Sequence, residues 1–467
     1  MKITFHGAAR TVTGSKHLIT LKNNTKILLD CGMFQGMGAE TEELNENIGF
    51  NPNEVNYLIL SHAHIDHCGL IPRIVANGFK GPIFCTPPTM ALAKILLEDS
   101  ARIQTQDNEY SNKQRAKKGL SQKKPLFTED DVLATLSLFK IVEYNEVFEI
   151  EPSIKVKFTD AGHIIGSSAV TLNVIEDSKE TTVTFSGDVG RYGEAILNSP
   201  QAFPPADYIL LESTYGDSLH KNLAPTDGQL LEIIKQTCLL KGGKVVIPAF
   251  SVGRTQEILY ALNSLEEQGK LPDINYYVDS PLSIKATQVL KDHPEMFNYN
   301  VKQLMKDDSD VFKFKGLRFI ESVMESKALN TDTRPCVIIS SSGMAEAGRV
   351  KHHIKNNIGN RKNTILLVGY CEPKSLGGRL MAGQPVVSIF GEKYQVNAEV
   401  RSIKSMSAHG DYADLIKFVS CQNPTEVKKI FLVHGDYDTQ KNFREKLLNA
   451  GFDNIEIPEL HQTIELD

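Results

Sequence analysis

The sequence predicts an α/β protein in which a parallel α/β domain is inserted into a discontinuous, β-rich host. Three observations carry this prediction. The first two hundred residues alternate short β-rich runs with Gly and Asn turn signals. From about Asp207 the rhythm becomes strand, helix, strand, the alternation of a parallel sheet flanked by helices. After about Val396 the Gly-punctuated β-rich character returns, so the first domain resumes. The expected boundaries are 1–206 and 396–467 for the host and 207–395 for the insertion.

In chain order, 3–5, 17–21, 26–30 and 55–60 read as strands of the host. A helix is expected over 90–106, and the Lys/Gln/Asn-rich stretch 90–126 reads as an exposed helical arm. Thr128-Glu129-Asp130-Asp131 reads as a capping box that starts a helix running to about Phe139. Strands resume at 154–159, 169–174 and 181–186. The insertion holds short apolar strands at 208–211, 244–247, 274–278, 337–340 and 364–368, with helices such as 227–240 and 255–267 between them. The closing host segment has a helix at 413–420 and a strand at 429–433.

Composition excludes several classes of function. With 467 residues, 41% of them hydrophobic and 23% charged, the chain is long enough for two or three cores and too apolar for a disordered or fibrous protein. Its apolar runs, such as 57–60 and 365–368, fall far short of the ~20 residues of a membrane helix, so no membrane partner is expected. The opening MKITFHGAAR has no apolar core of a secretory signal. Seven cysteines without a CxxC pair point to a reducing, cytoplasmic setting, with the thiols, Cys68 included, as small apolar core residues. The net charge of −6 excludes a generally basic coat. Any nucleic acid must therefore be held at a local site.

The strongest local signal is Ser61-His62-Ala63-His64-Ile65-Asp66-His67, directly after the apolar run 57–60. Imidazole nitrogen and carboxylate oxygen are donors that zinc prefers, and catalytic zinc keeps one position open for water. Three histidines and an aspartate at the end of a buried strand are enough to begin two metal sites. The HxHxDH pattern resembles the metallo-β-lactamase superfamily, whose other motifs follow in order. Asp30 in Ile27-Leu28-Leu29-Asp30-Cys31-Gly32 is similar to its first motif. His163 in Asp160-Ala161-Gly162-His163 matches the third, and Asp188 in Phe185-Ser186-Gly187-Asp188 the fourth. Glu212-Ser213-Thr214-Tyr215-Gly216-Asp217, Ser407-Ala408-His409-Gly410-Asp411 and Val433-His434-Gly435 resemble motifs A, B and C of the β-CASP nucleases. Residues 7–15 and 247–254 are also similar to that group. The resemblance spans essentially the whole chain and is to β-CASP RNA nucleases such as ribonuclease J and the cleavage-and-polyadenylation-factor-like ribonucleases. Neither a KH domain before residue 1 nor a long extension after residue 467 is expected.

The resemblance implies an αββα metallo-β-lactamase sandwich with an inserted β-CASP domain and two Zn²⁺ per chain. One zinc would take His62, His64, His163 and Asp188; the other Asp66, His67, Asp188 and His434, with Asp188 bridging. Asp30 would orient the ligand loop from outside the coordination sphere. Two Zn²⁺, less the charges of Asp66, Asp188 and one hydroxide, leave +1 to attract a phosphodiester. Hydrolysis of single-stranded RNA by metal-hydroxide attack then needs a proton for the leaving oxygen, supplied by His409 with Glu212 holding its ring. The catalytic set is His409, Glu212, Asp66 and Asp30. A histidine at motif C, His434 here, goes with the RNA-processing members of the group.

Ser340-Ser341-Ser342-Gly343-Met344, between a strand and a helix beginning near Ala345, reads as an anion cradle. Ser341, Ser342 and Arg254 are candidate substrate contacts, with Arg349 and Arg379 as further charges; ordinary turns with solvated arginines are the alternative. Lys351-His352-His353 reads as a surface helix face rather than a metal site. A DNA nuclease, a thioesterase- or lactamase-like hydrolase and a non-catalytic RNA-binding subunit stand as alternatives. Nothing in the sequence decides between endonuclease and 5′-exonuclease, or between monomer and homodimer.

Overall fold

A computed structural model describes residues 1–220, 226–369, 371–403 and 407–467. The chain forms two compact units, one of residues 1–219 with 409–467 and one of residues 220–408. No helix of the described residues is long and apolar enough to cross a membrane.

The first unit is built on two seven-stranded sheets. One runs in the order Thr463–Glu465, Lys2–Phe5, His17–Thr20, Lys26–Leu29, Tyr57–Ile59, Ile83–Cys85 and Phe139–Ile141, antiparallel up to Lys26–Leu29 and parallel beyond it. The other runs Ile455–Glu456, Lys429–Val433, Tyr208–Glu212, Lys179–Phe185, Ser168–Glu176, Ile154–Asp160 and Val147–Glu151. Strand alternation sends one set of side chains inward: Ile3, Phe5, Ile27, Leu29 and Ile59 meet Phe158, Val170, Leu172, Phe185, Leu210 and Phe431 between the sheets. Each such side chain contributes about 1.5–3 kcal/mol by leaving water. The opposite set on the second sheet, Ile209, Leu211, Ile430 and Leu432, packs against Leu415 and Phe418 of the helix Tyr412–Val419 and Phe443 and Leu447 of Tyr437–Asn449. Leu28 and Leu58 face away from the intersheet core and are fully buried as well, on the side carrying the helices Ile71–Ala76, Pro87–Lys117 and Glu129–Leu136. The result is the expected αββα sandwich.

The second unit is built on a six-stranded, all-parallel sheet in the order Leu317–Phe319, Asn275–Val278, Cys336–Ser340, Lys244–Pro248, Thr364–Val368 and Glu399–Ile403, with a separate antiparallel hairpin of Val386–Ile389 and Glu392–Gln395. Val246, Ile365 and Leu367 bury one face beneath Val350 and Ile354 of the helix Gly348–Asn357 and Leu376 and Leu380 of Leu376–Met381.

Three expectations shift. The second unit spans 220–408 rather than 207–395. The strand Tyr208–Glu212 runs parallel between Lys179–Phe185 and Lys429–Val433 in the first unit, while Glu399–Ile403 pairs with Thr364–Val368 in the second. A change of rhythm marks where strand–helix alternation begins, not which sheet a strand joins. The Thr128 capping box forms with Asp131, but its helix ends at Leu136 because Phe139 starts the edge strand Phe139–Ile141. The arm helix extends from Pro87 to Lys117, since its solvated Lys, Gln and Asn residues are good helix formers or neutral.

Beneath the loops that follow these strands lies one buried cation. Lys16 is wholly enclosed; its Nζ donates to the carbonyl oxygens of Gly14 (2.9 Å) and Gly32 (3.0 Å) and stands 4.2 Å over the Phe34 ring. It clips the loop before His17 to the loop after Leu29. Burial pushes its ammonium down to about 8. The unfolded chain therefore holds a proton that the native chain has lost between about pH 8 and the ordinary lysine value of ~10.4. Native stability relative to Lys16→Met should accordingly rise with pH across that window, by up to about 1.4 kcal/mol per pH unit. Urea denaturation of both proteins from neutral to alkaline pH checks it; parallel curves would mean that Lys16 titrates as an exposed lysine.

Candidate metal centre

Six strands of the first unit deliver their carboxyl ends to one place. Lys26–Leu29 ends at Asp30, Tyr57–Ile59 leads into Ser61 and His62, and Ile154–Asp160 leads to His163. Lys179–Phe185 leads to Asp188, Tyr208–Glu212 ends on Glu212, and Lys429–Val433 ends at His434. His64 caps the one-turn helix Ile65–Cys68 without a side-chain cap bond, and Asp66 and His67 lie in that turn. The backbone of 31–33 runs against it: Cys31 N donates to His67 O (2.8 Å) and Met33 N to Ile65 O (2.9 Å). A Cβ on Gly32 would stand 1.6 Å from the Asp66 carbonyl oxygen, so only glycine permits this approach.

The predicted ligands fall into two groups, His62, His64, His163 and Asp188, and Asp66, His67 and His434, the second reached by Asp188 through His67; Asp188 and His434 also lie within reach of Glu212 and His409. In the first, His64 Nδ1 lies 3.1 Å from both His62 Nε2 and His163 Nε2, and Asp188 Oδ2 lies 3.4 and 3.5 Å from those two nitrogens. In the second, His67 Nε2 lies 3.3 Å from His434 Nε2 and 3.3 Å from Asp188 Oδ1, and Asp66 Oδ2 lies 3.4 Å from His434 Nε2. Donors about 2.0–2.1 Å from one ion at tetrahedral angles stand roughly 3.3–3.4 Å apart. Asp188 Oδ1 is buried with no hydrogen-bond partner, a costly state for a carboxylate oxygen that a cation would relieve. The donor set therefore fits two divalent ions of the zinc type.

The protonation pattern agrees for the histidines of the first group, whereas, against burial, Asp188 and Asp30 hold His67 well above the usual imidazole range. Burial, with the charge of His67, lowers His62 to about 3, and burial lowers His64 to about 4; burial also holds His163 well below the usual imidazole range. These rings are neutral at pH 7 and present lone pairs. Against burial, the surrounding imidazoles keep Asp66 and Asp188 well below the usual carboxylate range.

Outside the donors, hydrogen bonds fix which ring nitrogen is available. Asp30 is fully buried at φ +56° and accepts from Ser61 N (2.8 Å), Ser61 Oγ (2.8 Å) and His67 Nδ1 (2.6 Å). Ser61 spends its proton on Asp30, so it accepts from His62 Nδ1 (3.1 Å). His62 and His67 are both left with Nε2 free for metal. At the other side Thr214 Oγ1 donates to Glu212 Oε2 (2.6 Å) and accepts from His434 Nδ1 (3.0 Å). His434 itself sits at φ +51°, with its N–H donated to Ala8 O (2.8 Å).

His409 stands beside the donors. Its Nδ1 is 3.2 Å from Glu212 Oε1 and 3.9 Å from Asp188 Oδ2, and its ring packs 4.5 Å from that of His163. Burial lowers its pKa, but Glu212 and then Asp188 outweigh this and push it up to about 9. Glu212 is wholly buried and also accepts from Val189 N.

The seven metal-ligand candidates, Asp30, Glu212 and His409 thus meet in one site. Ser341, Ser342 and Arg254 lie in the second unit. Ser341 Oγ bonds Ser280 Oγ (2.8 Å), and Ser342 Oγ accepts from Ala347 N (3.4 Å); the helix after them begins at Gly348, not Ala345. Arg254 is nearly buried and ion-paired with Glu257. Arg349 is likewise held, by Asp279 (2.6 Å) and the carbonyls of Ile320 and Glu321. His353 is not on a surface face: it is buried, with Nε2 2.6 Å from Asp279. Ser61 and Thr214 were not singled out by sequence, although both sit inside the quoted motifs. Their role depends on contacts 31 and 220 positions away in the chain.

Comparison with known proteins gives matches along the chain. Residues 15–216 match the metallo-beta-lactamase superfamily, 255–380 the Beta-Casp domain, and 393–458 the Zn-dependent metallo-hydrolase RNA specificity domain. The chain is similar to Ribonuclease TTHA0252 of Thermus thermophilus, 34% identical over 97% of this chain and 95% of that protein. It is similar to an RNase J-like protein of Methanocaldococcus jannaschii, 31% identical over 93% and 92%. The transcription termination factor FttA of Methanosarcina mazei is 30% identical over 93% of this chain and 67% of its own length. A protein of unknown function from Enterococcus faecalis shares the fold, with a TM-score of 0.53 at 12% identity over 100% of this chain and 99% of its own.

Two predictions test the geometry. Purified protein should hold about two zinc ions per chain, and Asp188→Asn should lose both, because it exchanges one of the two shared oxygens for a non-ligating amide nitrogen and removes the charge. Asp30→Asn should weaken both metals about 10–100-fold, the usual effect of removing a partner outside the coordination sphere, because it orients His62 through Ser61 and His67 directly. Metal analysis with a zinc-competition titration reads both, and an Asp188→Asn protein that retains two ions refutes the shared site.

Proposed function

Because the chain belongs to the metallo-β-lactamase superfamily, in its β-CASP branch, and is a metal-dependent hydrolase, we propose that it is a zinc ribonuclease. Its reaction is hydrolysis of phosphodiester bonds of single-stranded RNA, in RNA processing or decay. The observation that carries this reading is the pairing of two donor groups through Asp188 with a charged His409 beside them. The ribonuclease names of the relatives and the match of 393–458 to an RNA specificity domain support RNA as the substrate.

In this reading His62, His64, His163 and Asp188 hold one zinc, and Asp66, His67, His434 and Asp188 the other. Bound zinc pairs supply Lewis acidity toward phosphoryl oxygen and a water whose pKa falls to about 7. The chain's own residues do the rest. Asp30 keeps His62 and His67 in the tautomer with Nε2 facing the metals. Glu212 keeps Nδ1 of His409 protonated, which leaves the imidazolium able to give a proton to the leaving 3′-oxygen. Buried walls around Asp188 and His62 strengthen these charge interactions by excluding water. Ser341 and Ser342 are proposed phosphate contacts of the second unit.

Cleavage should leave 5′-phosphate and 3′-hydroxyl ends on single-stranded RNA. A 2′,3′-cyclic phosphate would instead implicate the RNA's own 2′-hydroxyl, and equal cleavage of DNA would remove RNA preference. His409→Ala should keep both metals yet slow cleavage about 10²–10⁴-fold. A substrate with a 3′-sulfur leaving atom needs little protonation, so it should recover much of that loss. Loss of metal in His409→Ala would make His409 a ligand. An unchanged rate would place the proton donor elsewhere.

A further inference from the structure

One strongly charged feature of the first unit has no part in the metal centre: the far end of the helix Pro87–Lys117 and the turn that follows it. Residues 110–128 hold six basic side chains, Lys113, Arg115, Lys117, Lys118, Lys123 and Lys124, and no Asp or Glu. They do so in a chain whose 57 acidic residues outnumber its 51 basic ones. Lys123 pairs with Glu42, and Arg115 Nε donates to Ser121 O at 2.7 Å. Among the described residues Lys113, Lys117, Lys118 and Lys124 enter no ion pair, and all four are exposed. The acids nearest in sequence are Glu109, on the preceding turn, and Glu129, which opens the next helix Glu129–Leu136.

The turn is not a loose charged tail. Asn112 clamps it with a reciprocal pair, Nδ2 donating to Lys123 O (2.8 Å) and Oδ1 accepting from Lys123 N (2.9 Å). Lys123, with Lys124 next to it in the chain, is thereby folded back against the last turns of the helix, which carry Lys113 and Lys117. Tyr110, 68% exposed, precedes Lys113 and Lys117 at i, i+3 and i+7, the spacing of one helix face. An exposed aromatic ring in line with unpaired cations suits a backbone of phosphates carrying stackable bases.

The other end of the helix is fixed at the metal centre. Thr89 Oγ1 donates to the Gly166 carbonyl at 2.8 Å, three residues after His163. Lys113 lies 24 positions further on, about 36 Å along the helix. The cations therefore cannot touch the bond that is cut. We infer that the Tyr110–Lys124 end of the helix is a second binding site for single-stranded RNA, holding the substrate's phosphate backbone at a distance from the metals. This inference rests on the ribonuclease reading, and it adds the part of the molecule that distinguishes long from short substrates.

The test compares the holoenzyme with K113Q/K117Q/K118Q/K124Q on a long single-stranded RNA and on bis(p-nitrophenyl) phosphate, which is too small to reach the arm. KM for the RNA should rise about tenfold with kcat unchanged, and the slope of log(kcat/KM) on log salt should shrink by about 3, near 0.7 per lost phosphate contact. Hydrolysis of bis(p-nitrophenyl) phosphate should not change, and the four-fold Lys→Arg variant should keep the parent KM. Tyr110→Ala should raise KM for RNA alone by about fivefold or more. A KM for RNA that stays within about twofold in the glutamine variant overturns the inference while leaving the ribonuclease reading intact. A parent enzyme that hydrolyses bis(p-nitrophenyl) phosphate but no RNA defeats the ribonuclease reading itself. If the glutamine variant instead loses only binding to phosphatidylserine vesicles, the patch serves a membrane surface and the RNA site is refuted.

Discussion

The metal centre depends on one buried carboxylate that touches no metal donor atom directly except through a proton. Asp30 is enclosed by protein, so its charge must be met by donors. It finds four: the Ser61 amide, the Ser61 hydroxyl, His67 Nδ1 and, at 3.5 Å, the Ser15 hydroxyl. That arrangement fixes two ring tautomers at once, because Ser61, having given its proton, must accept from His62. One residue from each metal group is thus oriented from a single point. The left-handed backbone of Asp30, at φ +56°, is the strain that this placement costs, about 1–3 kcal/mol in general. Without it, the parallel strands would still converge, but their histidines would be free to turn the wrong nitrogen inward.

Parallel pairing explains why the site can draw on such distant parts of the chain. Lys179–Phe185, Tyr208–Glu212 and Lys429–Val433 run parallel as neighbours, so their carboxyl ends reach the same edge though the last lies more than two hundred positions on. Glycine then lets the loops close over them. Gly190 packs so near Gly162 that a Cβ would meet the Gly162 carbonyl oxygen at 1.8 Å, which holds the Asp188 and His163 loops together. The inserted second unit interrupts the first only between Leu219 and His409, after every strand of the sheet but two has formed.

How much of this was legible in the sequence follows from range. The HxHxDH cluster lies within six residues on one turn, so its chemistry shows directly in the string. Asp30, His163, Asp188 and His434 came through resemblance, because nothing local distinguishes a ligand from a satisfied loop residue. The strands Ile83–Cys85 and Val147–Glu151 escaped notice: the first is only three residues, and the second carries exposed and half-buried side chains without the alternation of a packed face. The charge of Arg254 was legible but its partner was not, since Glu257 comes within reach one turn away only once the helix exists. His353 failed in the opposite direction. A Lys-His-His run suggests an exposed face, and only the strand end at Asp279 shows that its third residue points inward.

Glu212 ties the metals to the proton donor more closely than a simple division of roles implies. Its Oε1 accepts from His409 and from the Val189 amide, and its Oε2 accepts from the Thr214 amide and hydroxyl. The Thr214 hydroxyl in turn orients His434, a donor of the second group. A glutamine here is therefore not a mild change. Its amide nitrogen must face either Val189 N–H and His409, or Thr214, and each of those already presents a donor; one bond would become a donor–donor clash. The negative charge that keeps His409 protonated would vanish at the same time. Glu212 is thus a single buried acceptor shared by the acid and by the orientation of one metal ligand, and the two functions can be separated only from the Thr214 side, where losing the hydroxyl frees His434 and leaves His409 its carboxylate.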